Sequence, residues 1–333
     1  MLILLNKVIL HILDFNSGVM VFSEQELERT DTVEIFLQKH VEKSFTNQDV
    51  KQGRFYENST FQQKMANYLN EAVDFVYFSK QIAELLYDSI TKAEELASAD
   101  LLVADLTIED ERFIAVLKCN NRMGFIHQVV QDGEVVKNDI INHYAILPSL
   151  TQKIDEYAFV NVQSQEIKLV DKKYTVNGET VNIMAEQLLQ CHSELSAKDS
   201  IKIMHEITKK VAEKHGKSPV EAITKVKNYL LENSEIADNV MPQAIAEVAF
   251  QESPLMQREY NEEIVNAGLS PEIQLDKELT VKKNKVHKIK TDTGIEITVP
   301  IDYFKNKDYI EFINNYDGTL SINLKNIGKL INK

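Results

Sequence analysis

Three apolar, β-branched runs separated by short polar breaks lie between Leu101 and Val130. This pattern is typical of consecutive antiparallel strands, so it predicts a three-stranded meander. The middle run, Phe113 to Leu117, contains no polar residue, and a strand of that kind is usually covered on both faces. We therefore expect helices to flank a sheet built around this run.

Residues 1–185 are predicted to form one α+β domain whose mostly antiparallel sheet contains these runs. The stretch from Lys7 to Asp14 is apolar enough to be a buried first strand, and the turn-forming residues Asn16-Ser17-Gly18 follow it. Asn177-Gly178 predicts a hairpin, because both residues tolerate a positive φ. The polar segment from Thr46 to Asn58 is expected to be a loop.

Helices in this domain are predicted from residues that favour helix starts. Ser23 and Asp31 each stand three residues before a glutamate, which is the spacing of a capping box. Ser59 is expected to cap a further helix, and another is expected from about Ser79 to Ala97. Cys191 lies in a pattern of helical type.

The pattern changes beyond residue 185. Residues 186–270 are predicted to be a helical region, in which Ser196 and Ser218-Pro219 are of the residue types that begin helices. Residues 271–333 are predicted to form a small β-rich domain, where Asp317-Gly318 indicates a hairpin. The fold class is therefore α+β, with flanking helices, a helical middle and a β-rich tail.

The formal net charge is −14, so the surface as a whole repels phosphate backbones. Any contact with nucleic acid then requires a local basic patch. Residues 1–100 carry 9 Lys and Arg against 16 Asp and Glu, whereas residues 271–333 carry 11 against 9. Basic side chains are thus more frequent towards the tail.

The apolar N-terminus lacks a basic leader region and a small-residue cleavage site. It is also too short to span a bilayer. The two cysteines, Cys119 and Cys191, are typical of buried free thiols in a reducing compartment. We therefore expect a soluble cytoplasmic protein without a membrane partner.

Short stretches spread over nearly the whole chain resemble one bacterial family. They are Val8–Asp14 with Asn16–Gly18, Phe36–His40, Phe113–Lys118, Lys290–Ile297, Val299-Pro300, Ile310–Phe312, Asp317–Ile322 and Lys325–Ile327. In their order they are similar to the 37-kDa nucleoid-associated bacterial protein family. The resemblance implies a nucleoid location and contact with DNA, either directly or through a partner. It brings no catalytic residues with it.

The segment from Val281 to Lys290 is the clearest basic feature. It contains no acid and five lysines, which are Lys282, Lys283, Lys285, Lys288 and Lys290. Because Lys288 and Lys290 flank one residue, a strand would place both ammonium groups on the same face. These lysines either neutralise phosphates or protect an exposed edge strand from aggregation, and both interpretations stay open.

A second basic feature is the predicted helix pair from Lys198 to Lys227, with eight lysines and four acids. Its candidate DNA-contacting residues are Lys209, Lys210 and Lys217. The short turn between the helices loosely resembles a helix-turn-helix. The segment contains no arginine, the commonest reader of guanine edges, so we expect phosphate contact without base selection. A merely solvated helix face is the alternative.

No catalytic or cofactor motif stands out. Asp105, Glu111 and Lys118 invite comparison with a metal-dependent nuclease, but such a site requires an acid and a lysine two residues apart on one strand. Glu111 and Lys118 are seven residues apart. The histidines and cysteines lack the spacing of metal ligands, and no glycine-rich phosphate loop follows a strand. We predict a non-enzymatic protein without metal or cofactor.

These observations favour a nucleoid-associated protein that binds DNA weakly and without sequence specificity through lysine–phosphate contacts. The alternative is an adaptor whose acidic surface meets a DNA-processing protein, which then brings it to the nucleoid. The oligomeric state stays open, and a homo-oligomer is compatible with the sequence.

Overall fold

A computed structural model describes residues 1–133, 135–237, 239–274, 280–281, 284–304, 306, 308–316 and 319–329. The chain divides into two compact units, unit 1 at Met1–Glu194 and unit 2 at Leu195–Lys333. The predicted change of character at residue 185 lies close to this division. The division of the chain into three domains stays a prediction.

An eight-stranded antiparallel sheet forms the centre of unit 1. The strands of this unit are β1 (Ile3–Asp14), β2 (Val19–Val21), β3 (Lys51–Phe55), β4 (Ala99–Ile108), β5 (Glu111–Asn120), β6 (Arg122–Asp132), β7 (Val135–Ile146), β8 (Glu156–Asn161), β9 (Ile167–Val170), β10 (Lys173–Val176), β11 (Glu179–Asn182) and β12 (Cys191–Ser193). The sheet order is β12-β3-β9-β8-β5-β4-β1-β2, and each neighbouring pair runs antiparallel. The predicted α+β class with an antiparallel sheet is confirmed.

Helices cover both faces of this sheet. They are α1 (Asp31–Phe45), α2 (Thr60–Leu69), α3 (Phe75–Ile90) and a π-helix (Ile183–Leu189). Along β5, Val116 faces a cluster that contains Ile82 of α3, and its neighbour Ala115 faces a cluster that contains Leu37 of α1. Alternate residues of a strand point to opposite faces, so an uninterrupted apolar run requires two covers. The prediction for Phe113–Leu117 is confirmed.

The predicted three-stranded meander is wrong in its third strand. β4 and β5 pair as expected, but β6 leaves the sheet and pairs with β7. The other edge of β5 is occupied by β8, whose six residues are all buried. Burying the distant apolar strand β8 beside β5 is favoured over pairing β5 with the strand that follows it in sequence.

Three further local expectations are corrected. The segment Thr46–Asn58 contains β3 and is therefore not all loop. Ser23 does not begin a helix, because its hydroxyl donates to the Leu10 carbonyl and its N–H donates to His11 Nδ1. Cys191 lies in β12 at the edge of the sheet and not in a helix.

Helix starts are predicted well where a side chain caps them. Ser59 is the N-cap of α2, as expected. The cap of α1 is Thr30, one residue before Asp31, and its side chain accepts the Val33 N–H. Asp74 caps α3, so this helix begins at Phe75 and ends at Ile90, earlier than the predicted Ser79–Ala97.

Unit 2 combines a helical group with small strand pairs. Its elements are α4 (Ala197–Lys214), α5 (Pro219–Ile236), β13 (Asn239–Val240), α6 (Pro242–Ala249), α7 (Pro254–Asn266), β14 (Ile273–Gln274), β15 (Val286–Lys290), β16 (Glu296–Pro300), α8 (Ile301–Phe304), β17 (Ile310–Asn314) and β18 (Leu320–Leu324). Helices α4 to α7 share one hydrophobic cluster, and residues of β16, α8 and β17 form another. The helical middle and the β-rich tail are thus confirmed as element types; the predicted turn Asp317-Gly318 lies outside the described residues.

Candidate nucleic-acid interface

The β15–β16 strand pair has one apolar and one polar face. His287 and Val299 lie opposite each other in the register and are buried. On the other face lie Lys288 and Lys290, which are exposed. The predicted placement of these two ammonium groups on one side of a strand is confirmed. This exposed face could contact a polyanion.

The lysines of this face differ in their neighbours. Lys290 Nζ lies 3.0 Å from a carboxylate oxygen of Glu296 on the paired strand, and both side chains are about 70% exposed. Exposed pairs of this kind contribute little and exchange readily with other ions. Lys285 and Lys288 are exposed and have no carboxylate partner in the described part of the chain. Lys282 and Lys283 lie outside the described residues.

Most of the α4 lysines form ion pairs with carboxylates of unit 2. Lys210 Nζ lies 2.8 Å from Glu263 and Lys214 Nζ lies 2.6 Å from Glu259, both on α7. Lys209 lies 3.7 Å from Glu213 on its own helix. The Lys209–Glu213 pair is as exposed and weak as the Lys290–Glu296 pair. Each of these α4 lysines nevertheless has a carboxylate beside it, so the net positive charge of this face is small. The sequence predicts DNA contact by Lys209 and Lys210.

Two exposed lysines of the helix pair differ from those of α4. Lys217 precedes α5 and Lys225 lies on it; both are exposed and have no carboxylate partner among residues that the structure describes. Lys217 is a candidate from the sequence as well. Lys225 is only one of eight lysines in the helix pair, and nothing in the sequence distinguishes it from the paired ones.

Helix α5 contacts the β15–β16 strand pair. The lysines of α5 and those of β15 therefore lie on neighbouring elements. Lys227 Nζ donates a 3.0 Å hydrogen bond to the Val286 carbonyl of β15. Val220 of α5 packs into the cluster that contains Val299. Lys227 itself is partly buried, and this burial lowers its pKa. It therefore acts as a connector, while Lys217, Lys225 and the β15 lysines face solvent.

Two histidines next to this connection do not add positive charge at neutral pH. Burial lowers the pKa of His205 and of His287 to about 4, and the nearby ammonium of Lys227 contributes to both shifts. Both rings are therefore neutral near pH 7. Among the described residues near this connection, positive charge at neutral pH is therefore carried by lysines and not by these two histidines.

The charge is distributed unequally between the two units. Unit 1 contains 17 Lys and Arg against 30 Asp and Glu, a net charge of −13, whereas unit 2 contains 20 against 21, a net charge of −1. Almost all of the excess negative charge thus belongs to unit 1. A phosphate backbone meets much less repulsion at unit 2.

The residues considered for a nuclease site are each bound to other groups. The Asp105 carboxylate accepts two hydrogen bonds from Arg112, at 3.0 and 2.6 Å, and one from Tyr68 at 2.6 Å. Glu111 accepts from an asparagine, and Lys118 lies near the other end of β5, paired with Glu156. Within the described ranges, no group of three His, Cys, Asp or Glu residues could hold a metal ion.

The fold and this surface define a class: an α+β protein of two units, with an antiparallel sheet in the acidic unit and exposed lysines on a small strand pair of the other. A family model described as nucleoid-associated protein YejK matches residues 9–331. The chain therefore belongs to this nucleoid-associated protein family, as the sequence resemblance indicated. Among curated proteins, none matches the chain. In the part that the structure describes, no helix is long and apolar enough to cross a bilayer.

Proposed function

We propose that this nucleoid-associated protein is non-enzymatic and binds DNA weakly, without sequence specificity, through lysine–phosphate contacts made by unit 2. The observation that carries the proposal is the outer face of β15–β16, where Lys288 is exposed without a carboxylate partner among the described residues. The same unit supplies Lys285, Lys217 and Lys225. Lysine is a flexible point charge, which suits phosphate contact better than bidentate reading of bases.

The proposal also includes Lys282 and Lys283, because they belong to the same acid-free run of sequence. A location in the cytoplasm, on the nucleoid, follows from the proposed DNA contact and the family. With only a few phosphates contacted, affinity should be low and should fall steeply as salt rises. A protein of this kind would be distributed along DNA and not held at particular sites.

The test is a salt titration of binding to a labelled duplex of arbitrary sequence, followed by fluorescence anisotropy. The double variant Lys285→Glu with Lys288→Glu should weaken binding and lower the log–log salt slope by about 0.9 for each phosphate that is no longer neutralised. The control, Lys92→Glu with Lys173→Glu, makes the same change in net charge on exposed lysines of unit 1. Equal weakening in both variants, or no binding by the wild type at low salt, would contradict the proposal.

A second pair of variants separates the free lysines of the helix pair from the neutralised ones. Lys217→Glu with Lys225→Glu should weaken binding clearly. Lys209→Glu with Lys210→Glu should weaken it less, because these lysines already face Glu213 and Glu263. The opposite order would assign the interface to α4.

The adaptor function is the second candidate, and the net charge of −13 on unit 1 favours it. Such a surface suits a basic DNA-processing protein, since complementary charge speeds association and excludes wrong partners. A fluorescent fusion of the Lys285→Glu, Lys288→Glu variant distinguishes the two. If it stays on the nucleoid although the purified variant no longer binds DNA, recruitment is through a protein.

A further inference from the structure

The β6–β7 hairpin of unit 1, here called the ribbon (residues 122–146), exposes an unusual amount of apolar surface. Its most exposed apolar side chains are Met123 (60%), Phe125 (66%), Val129 (61%), Val135 (67%), Val136 (60%), Ile140 (79%) and Tyr144 (67%). No described residue of the ribbon belongs to the hydrophobic clusters of unit 1. Contiguous exposed apolar patches of several hundred Å² usually mark an interaction surface.

The ribbon also lacks neighbouring strands. β6 and β7 pair only with each other in the described part of the chain, so the outer edge of each strand offers unpaired N–H and C=O groups. A two-stranded hairpin without a third strand or a packed face is marginally stable in water. An exposed apolar edge is in addition a template for pairing with another strand. We therefore expect the ribbon to bind another β-strand along one of these edges.

The charges of the ribbon argue against nucleic acid as that partner. Residues 122–146 contain Arg122 and Lys137 against Asp132, Glu134 and Asp139, a net charge of −1. A ribbon that entered a groove of DNA would require positive charge. Its chemistry suits a protein strand instead.

We propose that a second copy of this chain pairs with the ribbon along β7, antiparallel, about a two-fold axis at Asn138. In this register Lys137 lies opposite Asp139 of the partner subunit, and Asp139 opposite the partner's Lys137. Val136 likewise faces Ile140 of the partner subunit. A two-fold interface of this kind is self-complementary, because each contact occurs twice.

The two adjacent registers are disfavoured by charge. Moving the axis to position 137 places Lys137 opposite its own copy, and moving it to position 139 does the same to Asp139. Like charges directly opposite each other destabilise an antiparallel pair, whereas opposite charges and apolar pairs stabilise it. The Asn138 register further brings Val135 opposite Ile141 of the partner subunit on the second face. Two marginal hairpins then become one four-stranded sheet with apolar pairs on both faces.

The first test is the mass of the full chain in solution, measured by sedimentation over a range of concentrations. The wild type should be a dimer. Ile140→Lys should weaken the dimer about tenfold or more, since a charge then faces Val136 of the partner subunit. Val265→Lys is the matched control: Val265 is 68% exposed on α7 of unit 2, and its replacement should leave the dimer unchanged. A monomeric wild type, or equal effects of both variants, would overturn the proposal.

The register has its own test, which uses the ion pairs. Lys137→Asp and Asp139→Lys should each weaken self-association, because each variant places like charges opposite each other. In an equimolar mixture the two variants should associate, since every like-charge contact between the subunits is replaced by an opposite-charge one. The contact within each strand, where the wild type has Lys137 Nζ 2.9 Å from Asp139, is the same in the mixture as in the separate variants. Mixing does not change the sequence of either chain, so association in the mixture cannot result from a new ion pair within one chain. It must result from contacts between the two variants. If the mixture stays as monomeric as its components while both remain folded by circular dichroism, the Asn138 register is wrong.

The proposal is independent of DNA contact. It concerns unit 1 and apolar pairing, whereas the proposed function rests on lysines of unit 2. Weaker DNA binding in the lysine variants should leave the dimer intact, and dissociation of the dimer in Ile140→Lys should leave the DNA-binding surface of each subunit intact. The two proposals therefore fail separately.

Discussion

The ammonium group of Lys118 lies 2.7 Å from a carboxylate oxygen of Glu156, and both side chains are almost completely buried in unit 1. The two residues lie directly opposite each other on β5 and β8. The Tyr174 hydroxyl accepts a hydrogen bond from Lys118 at 3.1 Å and donates one to Glu156 at 2.5 Å. Burial raises the pKa of Tyr174, as the carboxylate also does, so the phenol stays protonated. These contacts satisfy two charges that would otherwise be very costly inside a sheet.

The first prediction concerns this pair. Lys118→Met should destabilise unit 1 by about 3–5 kcal/mol, because Glu156 is left as an unpaired buried charge. The double variant Lys118→Met with Glu156→Leu should recover most of that stability. Hydrogen exchange of the β5 amides reports the stability of this unit separately from unit 2. If the double variant is less stable than the single one, packing and not charge explains the effect.

The second prediction is a pH dependence that arises from His11. Its Nδ1 accepts the Ser23 N–H at 3.2 Å, so the proton is on Nε2, which lies 3.0 Å from Ser79 Oγ. Burial lowers the pKa of His11 from 6.5 to about 4, and the positive charge of Lys80 contributes. A second ring proton would break the bond from Ser23.

The sign follows from proton counting. Between pH 6.5 and about 4, the unfolded chain binds a proton at His11 that the folded chain does not bind. The free energy of unfolding therefore falls as the pH falls through this window. His11→Gln should flatten the decline of the melting temperature between these pH values. Identical slopes in variant and wild type would contradict the assignment.

A third prediction has the opposite sign. Asp100 is 7% exposed on β4, and burial raises its pKa from 3.8 to about 6. Above about pH 6 its charge opposes folding, so Asp100→Asn should stabilise unit 1 by about 3 kcal/mol at pH 8. The gain should shrink as the pH falls from about 6 to 3.8, where the wild-type carboxyl becomes neutral. A gain that is constant with pH would point to packing.

The fourth prediction concerns a helix start. Ser59 Oγ accepts the Gln62 N–H at 3.1 Å and donates to the Leu189 carbonyl at 2.7 Å. Ser59→Ala removes both bonds at a buried position and should cost about 2 kcal/mol. Thr30→Ala is the comparison, since Thr30 caps α1 through a longer hydrogen bond of 3.4 Å at an exposed site. Its cost, measured by urea titration, should be clearly smaller.

Local features of the fold were predictable because neighbouring residues determine them. Asn177 and Gly178 both have positive φ in the turn between β10 and β11, which their residue types favour. Ser59 begins α2 because its hydroxyl reaches an N–H three residues later. The apolar run at Phe113 predicted burial on both faces.

Long-range features were not predictable from local pattern. The neighbour of β5 across the sheet is β8, about forty residues later, and no local pattern distinguishes it from β6. Lys118 and Glu156 likewise meet only through that pairing. At the candidate interface, the sequence predicted the shared face of Lys288 and Lys290. It could not show that Glu263 of α7 would lie against Lys210.

The two buried thiols have a practical consequence. Cys119 lies on β5 in the interior of the sheet and Cys191 on the edge strand β12, and burial raises the pKa of each to about 12. Neither is a thiolate at neutral pH, so alkylating reagents gain access only during transient openings. The alkylation rate of Cys191 therefore reports local opening at the edge of the sheet, and that of Cys119 reports the less frequent opening of its interior.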